Sequence, residues 1–520
     1  MSLIKKLAGE TAIYGISSIL SRLLNWIILT PYFTRVFAKG EYGIVSDLYT
    51  WIALLLVFYT YRMETAFFRY GRQKENFDVT FSTASLSILG TTFIFTTALF
   101  LFAQPIATWL KYPEHPEYVF WFIGIVAADA LSSIPFARLR LLNRPIRFAA
   151  LKTLNILINI LFVFFFLEAC PWLIEGGWTW LKPIYNPENR IAYVFISNFL
   201  ASAMILLALL PMYFRIKFQQ PTKDILDLAS DEATIQSKVF FDKELWQKMI
   251  FYSLPLVISA IAAVVNQLIG GPMIKYLASD DLNYNLEQAG IFSAASKLAV
   301  LMNLFTQAFN YAAEPFFFRH ADREDSKQIY AQVANAFAIV GSVVFLGIML
   351  YLDIIQYFLG EDFREGLGIL PIMLIANLFL GLYYSMSIWF KLSDNTGIGG
   401  YIAIGGSIIT LLVNFIFIPN PAVGYFAPAW ASLACYGFML GACYVLGQRY
   451  FPIAYPIGRM LIYVLLAIIL YALSEWAKIN WSGNRIILSL FNTALFVLYL
   501  LVLFRMEKNF FRYILKGKSA

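Results

Sequence analysis

The stretch GIFSAASKLAVLMNLFTQAFNYAAEPFFFR, residues 290–319, decides the fold class of this 520-residue chain. It carries only three charged residues, and a helix needs about 20 mostly apolar residues to cross the bilayer core. Its polar residues recur at helical spacing and fall within about 60° of one another around a helix axis. They are Ser296, Asn303, Gln307, Asn310 and Glu314. We predict a membrane-spanning helix over 290–318 with one polar face.

The first half of the chain holds a second copy of this stretch. Three patterns, Asn-x5-Pro, Gly-Ile-x-Ser and Glu-x-x-Phe-Phe-Arg, occur twice and in the same order. They begin at Asn25, Gly43 and Glu64 in the first half and at Asn266, Gly290 and Glu314 in the second. An even number of predicted spans separates the copies, so the repeat is parallel, with its axis along the membrane normal. Paired bundles of this kind are typical of transporters whose substrate site lies near mid-membrane between the halves.

The composition fits a membrane protein and excludes a soluble enzyme. The chain is 60% hydrophobic and only 14% charged, whereas soluble proteins carry about 25% charged residues. Apolar runs predict fourteen membrane spans: 10–34, 44–68, 79–102, 118–137, 148–170, 191–214, 249–274, 290–318, 329–352, 366–390, 398–418, 423–447, 457–474 and 486–504. We therefore predict an all-α polytopic membrane protein whose helices, about 14 in number, form two pseudo-repeated bundles.

The distribution of positive charge orients these spans. Of the 39 Lys and Arg residues, 26 lie on the side that holds both termini, nine on the opposite side and four inside spans. Cytoplasmic loops carry the excess of Lys and Arg, so both termini are predicted to be cytoplasmic. The predicted divisions are a six-helix bundle over 1–214, a cytoplasmic connector over 215–248, a second six-helix bundle over 249–447, and two additional helices with a cytoplasmic tail over 448–520.

Cofactor and metal chemistry find no support in the sequence. The three cysteines and two histidines have no metal-ligand spacing. The net charge of +7 marks one side of a bilayer and does not point to nucleic acid. The N-terminal apolar run continues to Phe37 without a cleavage pattern, so we predict an uncleaved first span. We predict a transporter with no cofactor, no metal and no catalytic residues.

Three of the four basic residues inside predicted spans are candidates for binding an anion, because an ionisable group there costs about 2.5–3.5 kcal/mol on insertion scales and is a functional candidate by default. Arg22, Lys152 and Lys297 each lie on or beside a polar face, which suits a hydrated cavity that receives an anion. The predicted substrate-binding residues are Arg22, Asn25, Lys152, Asn155, Asn159, Lys297, Asn303, Gln307 and Asn310. The alternative is that the amides join helices to one another, as is common in membrane bundles.

Two acidic residues, Glu64 and Glu314, occupy equivalent places in the repeat and are candidate gating or coupling residues. Glu64 lies with Arg62 near the inner end of its predicted span. A long charged side chain at a span end can extend to the membrane surface. Glu64 and Arg62 could therefore act at the membrane surface instead of inside the membrane.

Three stretches resemble a known family. GEYGI (40–44), SLPLV (253–257) and AGIFSAASKL (289–298) are similar to the patterns of bacterial polysaccharide transporters. These are the O-antigen and capsule oligosaccharide flippases of the multidrug/oligosaccharidyl-lipid/polysaccharide exporter superfamily. The resemblance implies a V-shaped pair of helical bundles that alternates between inward-open and outward-open states. It also implies a cationic cavity in which Arg22 and Lys297 take the pyrophosphate of an undecaprenyl-linked glycan.

One departure from the family pattern concerns ion coupling. Many relatives carry Asp-Arg in the outer part of the seventh span, where this chain has Asn266-Gln267-Leu268. The change weakens any coupling scheme that depends on an acid at that place. An inside-negative potential of about 100 mV favours the outward movement of two negative charges by roughly 4–5 kcal/mol. Ion coupling is therefore not required for direction.

The predicted function is an alternating-access flippase that moves an undecaprenyl-pyrophosphate-linked oligosaccharide from the inner to the outer leaflet of the cytoplasmic membrane. The exported glycan would serve surface polysaccharide biosynthesis, such as that of the O-antigen of lipopolysaccharide. The predicted partners are the lipid-linked oligosaccharide, the bilayer, and a glycan polymerase or ligase. The alternatives are a lipid II flippase and a multidrug cation antiporter, whose site should be acidic. A membrane-embedded glycan ligase or polymerase is a further alternative, but such enzymes need a sizeable outer loop, and the predicted outer loops are short.

Overall fold

A computed structural model describes residues 22–72, 77–183, 185–214, 241–320, 323–393, 396–480 and 485–508. Nearly all of these residues are helical, and no strand occurs among them. The first predicted span, 10–34, is described only from residue 22 onward. Most of the predicted connector, over residues 215–240, lies outside the described residues.

The first half of the chain contains nine α-helices in its described part. They are α1 over 22–36, α2 Lys39–Thr60, α3 Met63–Tyr70, α4 Phe77–Leu101, α5 Ala103–Trp109, α6 Pro116–Leu141, α7 Pro145–Phe164, α8 Cys170–Glu175 and α9 Arg190–Phe214. Proline occupies the first position of α6 and of α7, where the missing N–H is no loss and the fixed φ suits a helix. A π-helical turn, Phe165–Ala169, joins α7 to α8, and the 3-10 turns Thr179–Leu181 and Pro187–Asn189 precede α9.

The second half contains eleven α-helices in the residues that are described. They are α10 Lys243–Leu268, α11 Gly270–Leu277, α12 Leu282–Arg319, α13 Ser326–Leu350, α14 Leu352–Ile355, α15 Leu370–Met386, α16 Ile388–Leu392, α17 Thr396–Phe417, α18 Ala427–Tyr450, α19 Ile457–Asn480 and α20 Arg485–Met506. Shorter 3-10 segments cover Gln356–Phe358, Glu361–Ile369 and Gly424–Phe426. Helix α12 has 38 residues and is therefore about 57 Å long, well beyond the bilayer core.

Thirteen helical stretches of the described chain are long and apolar enough to cross a membrane. The first is Lys39–Thr60 and the last is Ile486–Met506. The prediction of an all-α polytopic membrane protein is confirmed. The remaining predicted span is the first one, which is only partly described.

Two predicted spans are divided in the structure. The span predicted over 44–68 breaks after α2, because Tyr61 and Arg62 adopt positive φ values of 32° and 58°, a backbone conformation that a helix cannot contain. The span predicted over 249–274 is interrupted at Ile269, between α10 and α11. The second break has a local cause, because Gly270, Gly271 and Pro272 follow it and Pro272 cannot donate a hydrogen bond to the Leu268 carbonyl.

The described residues separate into two compact units. Unit 1 comprises 22–28 and Asp47–Val264, and unit 2 comprises Leu29–Ser46 and the described residues from Val265 onward. Helix α2 thus begins in unit 2 and continues into unit 1, and α10 ends in unit 2 after beginning in unit 1. The bundle boundaries predicted from the sequence, at 214 and 249, stay predictions.

Unit 2 contains a close helix crossing between the two copies of the repeat. A Cβ atom added to Gly43 of α2 would lie 2.1 Å from the Leu286 carbonyl oxygen, and one added to Gly290 of α12 would lie 2.0 Å from the Lys39 carbonyl oxygen. Each carbonyl belongs to the residue four positions before the opposing glycine. The crossing is therefore symmetric, and the glycine of each Gly-Ile-x-Ser pattern packs against the helix that carries the other.

The segment Leu29–Ser46 is held in unit 2 by polar contacts with the region between α14 and α15. Arg35 donates through Nη2 to the Tyr357 carbonyl oxygen at 2.6 Å. Lys39 Nζ pairs with Glu365 Oε1 at 2.6 Å, and Tyr42 packs edge-on against Phe363. These contacts fix the end of α1 and the start of α2 within this unit.

The last two spans are attached to α13 by buried polar groups. Asn492 of α20 donates to the Leu350 carbonyl oxygen at 2.8 Å and accepts from Ser474 of α19 at 2.6 Å. Beyond the end of α20, the Glu507 carboxylate accepts from Tyr463 at 2.5 Å and from Asn335 at 3.4 Å. Since polar groups away from water need such partners, α19 and α20 form part of unit 2.

Candidate functional site

Two of the predicted cations lie near each other in unit 1. Arg22 of α1 and Lys152 of α7 are both exposed. The Lys152 ammonium lies 4.2 Å from the centre of the Phe136 ring. It experiences the charge of Arg22 as a repulsion and the charge of Asp129 as an attraction. The structure thus brings Arg22 and Lys152 into one electrostatic neighbourhood, with Asp129 as an acid within it.

The predicted amides of unit 1 differ in their burial. Asn25 of α1 is exposed, and Asn155 of α7 is half-buried. Asn159, one turn further along α7, is 8% exposed. Its buried Oδ1 has no hydrogen-bond partner among the described residues, and an unsatisfied buried polar atom costs about 1–3 kcal/mol.

Three of the predicted residues of unit 2, Asn303, Gln307 and Asn310, share one face of α12, and Lys297 lies beside that face. Lys297, Asn303, Gln307 and Asn310 are all half-buried. The packed side of the same helix carries Leu298, Met302 and Thr306, each fully buried. The polar stripe predicted from the sequence is therefore the less buried face of α12, and the apolar face forms the core.

Hydrogen bonding distinguishes these residues from amides that join helices. No other described residue hydrogen-bonds the side chains of Asn25, Lys152, Asn155, Asn159, Asn303 and Asn310. Other amides in the spans do bind across helices. Asn198 donates to the Tyr49 hydroxyl at 3.1 Å, Asn377 to the Ala299 carbonyl oxygen at 3.3 Å, and Asn492 to that of Leu350. Six of the nine predicted residues therefore lack the contacts that a helix-joining role requires.

Of the two predicted gating acids, only Glu64 has a side chain within the described part of the chain. Glu64, in the first turn of α3, pairs with Arg62 at 3.5 Å. Its other carboxylate oxygen, Oε2, is buried without a hydrogen-bond partner among the described residues. The pair lies directly at the break after α2. Glu314 lies in α12, but its side chain is outside the described part of the chain.

The position of the missing acid in the seventh span is filled by a neutral polar cluster in unit 2. The Asn266 amide donates to the Ala403 carbonyl oxygen at 3.4 Å and accepts from the Thr410 hydroxyl at 3.3 Å. The Tyr436 hydroxyl donates to the Asn266 carbonyl oxygen at 3.3 Å. No group of metal-ligating side chains occurs in the described residues. This cluster offers hydrogen bonds, and its contacts include no carboxylate.

The family follows from the sequence match. The profile described as "Polysaccharide biosynthesis protein" matches residues 7–321, which is more than half of the chain. The chain belongs to this polysaccharide biosynthesis family. It is a multi-pass protein of the cytoplasmic membrane. No curated protein sequence matches it.

Solved structures of transporters share the fold of this family member. "Lipid II flippase MurJ, inward closed conformation" is 13% identical with a TM-score of 0.66, and the match covers 95% of this chain and 98% of that chain. An inward-facing multidrug resistance MATE family transporter of the MOP superfamily is 11% identical with a TM-score of 0.56, covering 89% and 94%. A mutant of the Vibrio cholerae MATE transporter VcmN is 12% identical with a TM-score of 0.51, covering 86% and 97%. At these identities the likeness establishes the fold.

The structure adds a charged residue that the sequence reasoning did not place in the site. Arg140 is the penultimate residue of α6, and it is exposed. It acts electrostatically on both Lys152 and Glu64. In the sequence, Arg140 stands with Arg138 and Arg144 in a basic loop, so it was counted only toward the orientation of the spans.

The orphaned amide of Asn159 allows a test that separates binding from packing. We expect Asn159→Leu to leave the melting temperature unchanged or raise it, because an unsatisfied buried oxygen is removed and a similar volume is kept. If the amide contacts substrate, glycan export should fall about tenfold, as expected for the loss of a hydrogen bond. Melting in detergent and surface-glycan quantification would measure the two effects. Unchanged export would exclude Asn159 from the binding site.

Proposed function

We propose that this protein is an alternating-access flippase for an undecaprenyl-pyrophosphate-linked oligosaccharide, moving it from the inner to the outer leaflet of the cytoplasmic membrane. The observation that carries the proposal is a set of exposed or half-buried polar side chains that make no hydrogen bonds within the described protein. They are Lys152, Asn25, Asn155, Asn303 and Asn310. In a member of a polysaccharide biosynthesis family, such donors suit an anionic headgroup bearing sugar hydroxyls.

In this scheme each unit has its own contacts with the substrate. Arg22 and Lys152 of unit 1 bind the pyrophosphate, and Lys297 of unit 2 provides a further cation. Asn303, Gln307 and Asn310 contact sugar hydroxyls, while the polyprenyl chain stays in lipid. Glu64 and Glu314 act at the gates, and a glycan polymerase or ligase uses the exported product.

The membrane potential supplies a direction for this transport. An inside-negative potential of about 100 mV favours the outward movement of two negative charges by roughly 4–5 kcal/mol. The neutral cluster around Asn266 gives an obligatory cation no carboxylate to bind. We therefore propose that transport runs without a cation bound at this position.

Depletion of the protein tests the proposed function. We expect a pyrophosphate-linked oligosaccharide to accumulate in the inner leaflet, because its synthesis continues while its export stops. Extraction and mass spectrometry of the lipid-linked glycans would identify the molecule. Accumulation of lipid II instead would establish the lipid II flippase. No accumulated glycan together with new sensitivity to cationic drugs would establish the multidrug antiporter.

A further inference from the structure

An apolar groove runs along the end of α7 and the start of α8 in unit 1. It has a volume of about 680 Å³, which is within the range of cavities that hold small molecules. Its walls include four exposed apolar side chains, those of Leu161, Phe164, Phe165 and Trp172. They belong to Pro145–Glu175, one of the helical stretches apolar enough to cross a membrane. The groove is therefore a recess in a membrane-spanning surface.

The groove faces away from the side of α7 that carries Lys152 and Asn159. Leu161 follows Lys152 by nine residues, which is two and a half helical turns and places it about 180° away around the axis. Glu168 follows Leu161 by seven residues, about two turns, and so shares its side of the helix. The groove opens toward the bilayer and away from the proposed substrate-binding residues of α7, so a lipid is the molecule available to fill it.

A stack of aromatic rings forms a firm support behind the groove. The π-helical turn Phe165–Ala169 adds one residue to the helical turn at this place, and π-helical turns are frequent at functional sites. Phe166 of this turn stacks on Tyr193 of α9 with the ring centres 5.1 Å apart, and Tyr193 stacks on Tyr185 at 5.0 Å. The Tyr193 hydroxyl accepts from the Asn186 backbone N–H at 2.7 Å. These contacts fix the shape of the groove before any lipid binds.

A single carboxylate lies in the groove. Among the described residues that line it, only Glu168 is ionisable, and it is exposed. Glu168 follows Phe148, where the predicted span begins, by twenty residues. This distance is about 30 Å along a helix, the thickness of the hydrocarbon core. Trp172 lies one turn further, and tryptophan is enriched at the membrane interface. The carboxylate therefore lies at the level of the lipid headgroups on the predicted outer side, and the apolar walls extend below it.

The charge of Glu168 indicates the kind of headgroup. A carboxylate repels the anionic headgroups of phosphatidylglycerol and of polyprenyl phosphates, and it attracts an ammonium group. A primary ammonium also donates charge-assisted hydrogen bonds to carboxylate oxygens. Phosphatidylethanolamine carries such an ammonium above its acyl chains. Phosphatidylcholine carries the same positive charge but has no N–H group to donate.

We infer that this groove binds phosphatidylethanolamine, a phospholipid with a primary ammonium headgroup. One acyl chain lies against Leu161, Phe165 and Trp172, and the ammonium binds the Glu168 carboxylate. The lipid is a bound component of unit 1 and is not the transported molecule. The inference therefore goes beyond the proposed function and holds whichever substrate the protein moves.

Native mass spectrometry of the purified full-length protein, titrated with single phospholipids, tests the inference. We expect wild type to bind phosphatidylethanolamine most tightly, phosphatidylcholine less tightly and phosphatidylglycerol most weakly. Glu168→Gln should weaken phosphatidylethanolamine binding about tenfold, as expected for the loss of a charge-assisted hydrogen bond. Ala169→Phe should weaken the binding of all three lipids, because Ala169 lines the groove and the added ring would fill it. Glu175→Gln is the matched control, since Glu175 is exposed at the end of α8 and does not line the groove.

Three results would overturn the inference. The first is equal affinity of wild type for phosphatidylethanolamine and phosphatidylglycerol. The second is an equal effect of Glu168→Gln and Glu175→Gln on phosphatidylethanolamine binding, which would leave no particular role for Glu168. The third is tighter binding of undecaprenyl phosphate than of phosphatidylethanolamine, lost in Ala169→Phe, which would assign the groove to a polyprenyl chain. If Ala169→Phe does not fold, the comparison of the two glutamine variants still decides the role of the carboxylate.

Discussion

Replacing Gly43 with alanine is expected to destabilise the protein by about 3 kcal/mol, toward the upper end of overpacking effects. The added methyl would lie 2.1 Å from the Leu286 carbonyl oxygen. A backbone oxygen cannot move to another rotamer, so α2 and α12 must separate to make room. Gly290→Ala should behave in the same way, because its methyl would meet the Lys39 carbonyl oxygen at 2.0 Å.

Gly90→Ala is the matched control for this experiment. Gly90 lies within α4, and a Cβ atom there would have no neighbour within 4 Å. Since alanine is the better helix former by about 1 kcal/mol, this variant should be neutral or slightly more stable. Melting of the three variants in detergent would measure the difference. If Gly43→Ala had the same melting temperature as Gly90→Ala, the close crossing would not exist in the folded protein.

Removing the cations of the proposed site should have the largest effect on transport. We expect Arg22→Gln, Lys152→Met and Lys297→Met each to lower glycan export about 10- to 100-fold, because each removes a charge-assisted contact with the pyrophosphate. Lys152→Met also removes the attraction between the ammonium and Asp129, so its melting temperature must be measured beside its export.

Export is measured here as surface glycan at matched protein levels. Lys248→Met serves as the control, because Lys248 is exposed and its contact with Glu244 is 4.0 Å long and open to solvent. Exposed pairs of this kind contribute about 0–1 kcal/mol. Normal export in both Arg22→Gln and Lys297→Met, with normal protein levels, would exclude a pyrophosphate site built on these cations.

Most of the fold could be predicted from the sequence, because a membrane span needs only length and low polarity. The breaks within spans could not. Tyr61 and Arg62 are residues that a helix accepts, and nothing in the local sequence predicts their positive φ values. The π-helical turn at Phe165–Ala169 is followed by Pro171, which indicates a kink but does not specify a π-helical turn. Periodicity predicts a continuous helix at each of these places.

The candidate site was predicted only in its parts. Charge inside a span selected Arg22, Lys152 and Lys297, but residue spacing could not separate a helix-joining amide from a free one. Which kind an amide is depends on which helices are neighbours: Asn198 donates to the Tyr49 hydroxyl, whereas Asn303 makes no hydrogen bond with a described residue. Arg140 was not predicted as a site residue, because the count of Lys and Arg that orients the spans treats every cation at a span end alike.

Loop assignment from sequence also fails when the chain near a span end folds inward. Lys275 directly follows the predicted span 249–274 and therefore counts among the nine cations of the predicted outer side, yet its side chain is fully buried in unit 2. It lies in α11, which begins with two buried glycines, and its ammonium lies 5.0 Å from the Tyr276 ring centre. Burial of a lysine requires compensating contacts, and only the folded chain reveals them.

The crossing of Gly43 and Gly290 also bears on how a chain built from two repeated halves can diverge. Each glycine is kept small by a carbonyl group of the other half, and no substitution removes a backbone carbonyl. Neighbouring side chains therefore cannot accommodate a larger residue in either half by changing their own size. At most positions the halves are free to become unlike each other. Here a carbonyl group of each half requires glycine in the other, which accounts for the glycine that the two Gly-Ile-x-Ser patterns share.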